Sequence, residues 1–352
     1  MKAVILAGGF ATRLRPLSCT RPKTLFPIVN KPLLQWIFER LARDGVDGVV
    51  LAVNQLTGFY IRQQKIPRSG IAVKYSFDPS KKPLGTAGPV KHAERLLGRQ
   101  PFFVLNGDIF ADINYKQIME THVKKGAWAT LALCKVEDPS RYGVADIAKD
   151  GQIKRFIEKP PKGTEPSKFI NAGVYVLNPE VLHLIPESRA VSMEREVFPK
   201  LADQGKLFGH VVDGLWIDIG RPDEYLQANR ILLDNLKTKP QPKATREALV
   251  VRNPIALEKG VVVEKGAIIG PYAVLGKNVS VGKNARINDS VIFQGAKIGD
   301  SACVEGAIVG EEAVIGKNVK IGRGCVIADH AKILRGVSLA DGTSVCPAKE
   351  VS

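Results

Sequence analysis

The residues best suited to chemistry come early. The run AGGFATRLRP (7–16) joins two glycines, a hydroxyl and two arginines, and Lys23 follows a proline shortly after. Backbone N–H groups exposed between a strand and a helix can cradle an anion, and Gly8 and Gly9 let the chain approach it closely. Arg13 and Lys23 can then spread positive charge along a polyphosphate. The spacing is neither G-x-G-x-x-G nor G-x-x-x-x-G-K-[ST], so dinucleotide and Walker-type readings have no specific support. A glycine turn with solvated arginines remains the alternative.

Two acids complement these cations. Asp108 closes the apolar stretch FFVLNGD (102–108), and Asp218 follows LWI in LWIDIG (215–220). Carboxylates far apart in sequence but both at strand ends can converge on one Mg²⁺, a hard ion that takes oxygen ligands and bridges phosphates. The alternative is a turn acid after Gly107 and a surface acid near a turn.

The elements that must position these groups follow two grammars. Up to about residue 235, short apolar strands alternate with amphipathic helices: AVILA (3–7), a helix over 31–45, VVLAV (49–53), a helical stretch near 58–65, AVKYSF (72–77), a helix over 86–98, then FFVLNGD. Pro32 falls in the first turn of the 31–45 helix and Gly45 at its end. This alternation predicts a Rossmann-like, doubly wound sheet, mainly parallel, with ligands outside the carboxyl ends of its strands. The polar, proline-containing stretch 237–247 reads as a linker, dividing a domain over 1–236 from one over 248–352.

Beyond it, apolar residues followed by a small residue recur every six positions: Ile269-Gly270, Leu275-Gly276, Val281-Gly282, Ile287-Asn288. After a one-residue slip comes Ile298-Gly299, and after a second slip Val309-Gly310, Ile315-Gly316, Ile321-Gly322 and Ile327-Ala328. Such a period predicts a parallel β-helix of hexapeptide repeats, each apolar residue entering a narrow prism and each glycine permitting a corner.

Composition narrows the partners. The chain carries a formal charge of +16. From Arg246 onward there are 14 basic and 11 acidic residues, so about +13 precedes it, in the part with the glycine loop. The basic residues are interleaved with acids and form no stripe with aromatics, so a small phosphorylated ligand is expected and nucleic acid is not. No apolar run approaches the ~20 residues of a membrane span, and the start resembles no signal peptide. The five cysteines are scattered without C-x-x-C spacing, which predicts a reduced, cytoplasmic chain without structural zinc.

The run LAGGFATRLRPLSCTRPKTLFPIVNKP resembles the signature of sugar-1-phosphate nucleotidyltransferases, L-A-G-G-x-G-T-R-L followed by P-L-x and a later P-K. The likeness continues in order through PLGTAG (83–88), NGD (106–108), RYGV (141–144), FIEKP (156–160), NAGVYVLNP (171–179) and WIDIGRPDEY (216–225). With the repeats, whose β-helix is left-handed in this family, it spans nearly the whole chain. The resemblance implies attack of a sugar 1-phosphate oxygen on the α-phosphorus of a nucleoside triphosphate, with Mg²⁺, giving a nucleotide-sugar and pyrophosphate. It assigns nucleotide contacts to Leu6, Ala7, Gly8, Gly9, Thr12, Arg13, Lys23, Gly85, Thr86 and Asp108. Sugar-phosphate contacts go to Tyr142, Gly143, Glu158, Lys159 and Asn171, and metal contacts to Asp108 and Asp218. The same resemblance implies that Arg13, Lys23, Asp108, Lys159 and Asp218 would carry the catalysis.

Within the family, the likeness is greatest to guanylyltransferases acting on mannose 1-phosphate. The alternatives are another base and sugar pair (UTP or dTTP, glucose 1-phosphate) or a catalytically weak relative that binds nucleotide-sugar. Self-association through the β-helix is expected. His330, alone among the repeats, is expected to be a corner or interface residue, not an acyltransferase base. Ala11 departs from the family's glycine and is expected to leave the phosphate cradle intact.

Overall fold

The computed structural model describes residues 1–9, 12–79, 83–187, 189–236 and 250–352. The expected linker, 237–247, and Ala11 lie outside the described residues. By packing, the chain forms two compact units that are not successive halves: Met1–Gly9 with Leu34–Ile217, and Phe10–Leu33 with Asp218–Ser352. Among the described residues, no helix is long and apolar enough to cross a membrane. All five cysteines are free thiols.

The first unit is built on a nine-stranded mixed sheet. Its parallel part runs Phe102–Asn106, Lys2–Leu6, Gly48–Val53, Ala72–Phe77, the Rossmann-like half that the strand–helix alternation predicts. Phe169–Leu177 then joins Phe102–Asn106 antiparallel, and pairs on its other side with Ala129–Lys135 and Gly143–Ile147. Apolar runs such as FFVL are buried because helices cover the sheet; Phe102, Phe103 and Val104 have no exposed surface.

Local boundaries shift from expectation for identifiable reasons. The first helix starts at Leu33, one residue after Pro32. Pro32 instead sits in a two-residue strand, Lys31–Pro32, paired with Pro27–Ile28. The 86–98 stretch is two short helices, Gly88–His92 and Glu94–Leu97, meeting at a tightened turn where the Ala93 N–H donates to both Pro89 and Val90.

In the second unit, three six-stranded parallel sheets form the faces of a left-handed β-helix. Each strand pairs with the one a coil later, 18 residues on for Ile269 and Ile287, 17 for Val281 and Ile298. The slips in the hexads are sides shortened to five residues, from Ile287 to Ile292 and from Val304 to Val309, and every inward residue still enters the core. The glycines serve the corners in two ways: Gly270 itself takes left-handed backbone (φ 93°), whereas Gly276 stands just before the left-handed residue. A Cβ on Gly276 would stand 2.7 Å from the Gln294 backbone N of the next coil, so glycine permits close stacking. There the left-handed backbone falls two residues later, on Asn278 (φ 59°), Asn284 (φ 57°) and Asn318 (φ 59°), and at other corners on glycines such as Gly295 (φ 69°), Gly306 (φ 60°) and Gly324 (φ 71°). Asparagine tolerates that conformation better than other side-chain-bearing residues. His330 takes one such corner, with φ 61°.

Candidate active site

The sheet unit gathers its candidate residues at the carboxyl ends of the parallel strands. After Leu6 the chain is still tied on both sides, by Ala7 N–H to the Ala52 carbonyl (2.8 Å) and by Gly107 N–H to the Leu6 carbonyl (2.9 Å). Gly8 is then held by the Asn54 amide, which donates to its carbonyl at 2.8 Å. A Cβ on Gly9 would meet nothing within 4 Å, so the loop opens there onto free space. Asp108, half-buried, leaves the adjacent strand at the same edge.

The PLGTAG loop is braced from behind. Gly85 has φ 74°, and a Cβ there would lie 2.2 Å from the Val191 carbonyl oxygen, so only glycine fits. The Thr86 hydroxyl donates to Glu194 Oε2 (2.6 Å) and accepts from the Met193 N–H (2.9 Å). Its side chain therefore holds the loop shape, which leaves backbone groups at the exposed Gly85 edge for a ligand. Ser192 donates to the same Glu194 oxygen at 2.8 Å.

The sugar-side residues lie on neighbouring antiparallel strands. Gly143 pairs with Glu158, and a Cβ on Gly143 would lie 2.4 Å from the Phe156 ring and 2.9 Å from Glu158 Oε2. Lys159 has φ 52°, an uncommon conformation for lysine that costs about 1 kcal/mol or more. Its ammonium is 3.6 Å from Glu158 Oε1, and its side chain is 60% exposed. Burial and the Glu194 carboxylate push the Glu158 carboxyl up from the ordinary range, with Lys159 opposing them. Asn171 opens a bulge in its strand: its Oδ1 accepts from Gly173 N–H at 2.9 Å, which leaves its amide donors available. Tyr142 packs edge-on against Trp216, ring centroids 5.5 Å apart, and Trp216 Nε1 donates to the Ala172 carbonyl.

The β-helix unit brings together the charged groups assigned to it. Lys23, 7% exposed, places its ammonium 3.8 Å from Asp218 Oδ1. A Cβ on Gly220 would lie 3.3 Å from both Arg13 Nη2 and Asp218 Oδ2 and 2.8 Å from Glu224 Oε2, so these three side chains converge on that glycine. Thr12 and Arg13 are exposed at the loop surface. Two cations and two carboxylates thus share one small region, suited to phosphate charge and to a hard cation.

Sequence reasoning missed Glu224, Glu194 and Ser192. Glu224 stands in the first turn of the helix Pro222–Asn235, within a quoted motif, where an acid reads equally well as a partner for the helix dipole. Glu194 and Ser192 have no local signal, since what marks them is the Thr86 hydroxyl's bond to Glu194, more than 100 residues away, with Ser192 donating to the same Glu194 oxygen.

The sheet unit thus has an α/β fold with an open glycine loop, and the other unit is a hexad β-helix with two cations and two carboxylates gathered beside Gly220. The nucleotidyl transferase family matches residues 2–235, and the GMPPB C-terminal domain matches residues 251–352. A Candida albicans protein named mannose-1-phosphate guanyltransferase is 38% identical over 356 residues, spanning 100% of this chain and 97% of its own. Mannose-1-phosphate guanylyltransferase 1 of Arabidopsis thaliana is 35% identical, also over 100% of this chain and 97% of its own. Among solved structures, HddC from Yersinia pseudotuberculosis is 30% identical with a TM-score of 0.57, covering 66% of this chain and 99% of HddC. The chain belongs to the nucleotidyl transferase family and is an enzyme of that class.

Proposed function

We propose that this enzyme condenses GTP with mannose 1-phosphate to give GDP-mannose and pyrophosphate. The observation that carries the reading is the full-length likeness to proteins named for that guanylyl transfer, β-helix included. A phosphate oxygen of mannose 1-phosphate attacks the α-phosphorus of GTP; the new P–O bond replaces the bond to the α–β bridging oxygen, which leaves on pyrophosphate. The nucleophile arrives as an anion, so alignment and charge neutralisation carry the catalysis and no base is needed.

Leu6, Ala7, Gly8, Gly9 and Thr12 seat the nucleotide, with Gly85 and the Thr86 backbone at the base. Arg13 and Lys23 take up charge growing on pyrophosphate. Lys159 grips the phosphate of the sugar 1-phosphate, and Glu158, Asn171, Tyr142 and Gly143 meet the sugar. Nucleotidyltransferases of this family generally use a divalent metal. Among the described residues no group of three or more His, Cys, Asp or Glu side chains could hold an ion alone. Two carboxylates completed by substrate phosphate oxygens suit Mg²⁺, and Asp108 and Asp218 are its proposed ligands. The ion would neutralise triphosphate charge. Residues 1–236 serve as catalytic domain, joined through 237–247 to a β-helix domain (248–352) that carries self-association, in a cytoplasmic enzyme.

Pyrophosphate release with Mg²⁺, measured for each nucleoside triphosphate against a panel of sugar 1-phosphates, tests this. Turnover with GTP and mannose 1-phosphate is expected; nucleotide-sugar binding without turnover for any pair would instead mark a silent relative.

Glu158 gives a pH prediction. Its raised pKa means that falling pH protonates it earlier than an ordinary glutamate, whose pKa is about 4.3, and removes an acceptor for sugar hydroxyls. The KM for mannose 1-phosphate should rise on acidification with a midpoint above that value, and Glu158→Gln should abolish the limb. The same shift makes ionised Glu158 a cost to the fold as pH rises through its folded pKa, so Glu158→Gln should not lower the unfolding temperature at neutral pH. An unchanged limb in the variant would assign it to another group.

A further inference from the structure

The segment carrying Arg13 and Lys23 has little structure of its own. It consists of three short 3₁₀ turns, Thr12–Leu14, Leu17–Cys19 and Lys23–Leu25, and a hairpin of two-residue strands. So few internal hydrogen bonds leave its shape to whatever it packs on.

What it packs on is the β-helix and the helix Pro222–Asn235, all within one compact unit. Arg21 Nη2 donates to Glu311 Oε2 and, at 2.9 Å, to Asp329 Oδ2, while its guanidinium lies 5.0 Å from the Phe293 ring centroid. The Thr20 hydroxyl donates to the same Asp329 oxygen at 2.6 Å. Asp329 is 3% exposed, and its other oxygen accepts from the Glu311 backbone N–H at 2.7 Å. The carboxylate is thus fixed by its own coil stack before it meets the loop. On the far side of Lys23, Phe26 packs edge-on against Tyr225 and Phe293, and the Tyr225 hydroxyl donates to the Pro27 carbonyl. Val29, at φ 46°, donates its N–H to Asn229 Oδ1, and the Asn30 amide donates to the Leu275 carbonyl.

Lys23 therefore hangs between two anchors on the β-helix unit, joined to the first by Pro22, whose ring fixes φ at −65°. We infer that Asp329 and Glu311, through Arg21, are positioning residues for the triphosphate loop, setting where Lys23 stands beside Asp218. The β-helix then acts in turnover as the seat of the cation that receives pyrophosphate. This rests on the guanylyltransferase reading above.

The test is Asp329→Asn in the full-length protein, with rates, both KM values and pyrophosphate inhibition measured below its unfolding transition. A displaced Lys23 should lower kcat about tenfold or more and raise the inhibition constant for pyrophosphate, with the KM for mannose 1-phosphate unchanged. Arg21→Lys, which keeps the charge but loses the planar guanidinium over the Phe293 ring, should fall between the variant and the parent. Should Asp329→Asn not fold, Glu311→Gln takes its place with the same expected pattern. A folded variant with parental kcat and pyrophosphate inhibition overturns the inference, as does a loss of activity that only tracks the folded fraction. Absence of turnover in the parent protein would instead strike the proposed function.

Discussion

Asp108→Asn is expected to lower turnover by about 10²–10³-fold, the range for losing one preorganised charge-stabilising group. Asp108 stands half-buried at the carboxyl end of the strand Phe102–Asn106, next to the strand that opens into the glycine loop. Asparagine keeps its shape but removes the anionic oxygen that a hard cation prefers. The defect should therefore appear as a higher Mg²⁺ requirement together with a lower limiting rate, at an almost unchanged unfolding temperature. Asp218→Asn should behave similarly but with a second consequence, because Asp218 also faces the buried Lys23 ammonium at 3.8 Å. Removing that carboxylate leaves a buried cation less compensated, so this variant should also lose stability. Near-parental activity and Mg²⁺ dependence in Asp108→Asn would mean the metal is held elsewhere.

Lys159→Ala is expected to cost about a hundredfold in kcat/KM for mannose 1-phosphate, most of it in KM. A charge-assisted hydrogen bond to phosphate contributes ~3 kcal/mol, which is about that factor. The side chain is 60% exposed, so its loss removes little packing and the fold should hardly notice. Backbone strain offers an internal control. At φ 52° lysine is uncomfortable, and Lys159→Gly should be more stable than Lys159→Ala by about 1 kcal/mol while being equally defective. Activity that follows stability across the two variants would remove Lys159 from the substrate site; equal defects at unequal stability would keep it there.

The sequence made visible what is periodic or contiguous. Ile269, Leu275, Val281 and Ile287 announce the prism because six residues per side is a geometric requirement of the coil, and all four are in its core. The AVILA strand and the glycine loop after it are likewise local. What could not be read is what depends on contacts across long stretches of chain. Nothing near Arg21 signals that its partners are Glu311 and Asp329, about 300 residues on, since one polar pair has no period. The β-helix glycines divide between two roles for a physical reason. A corner requires left-handed backbone and a stacked coil requires a missing Cβ, and sequence alone does not separate the two; here Asn278 and Gly324 meet the first and Gly276 the second. The Thr86 hydroxyl lay within a quoted motif, yet its engagement by Glu194 follows only from the fold.

The central claim is the identity of the product, and a single competition measures it. The protein is incubated with Mg²⁺, equal concentrations of GTP, ATP, CTP, UTP and dTTP, and equal mannose 1-phosphate and glucose 1-phosphate, and the nucleotide-sugars formed are separated by mass and chromatography. GDP-mannose as the dominant early product is predicted; a dominant UDP- or dTDP-glucose, or no nucleotide-sugar at all, would contradict the account.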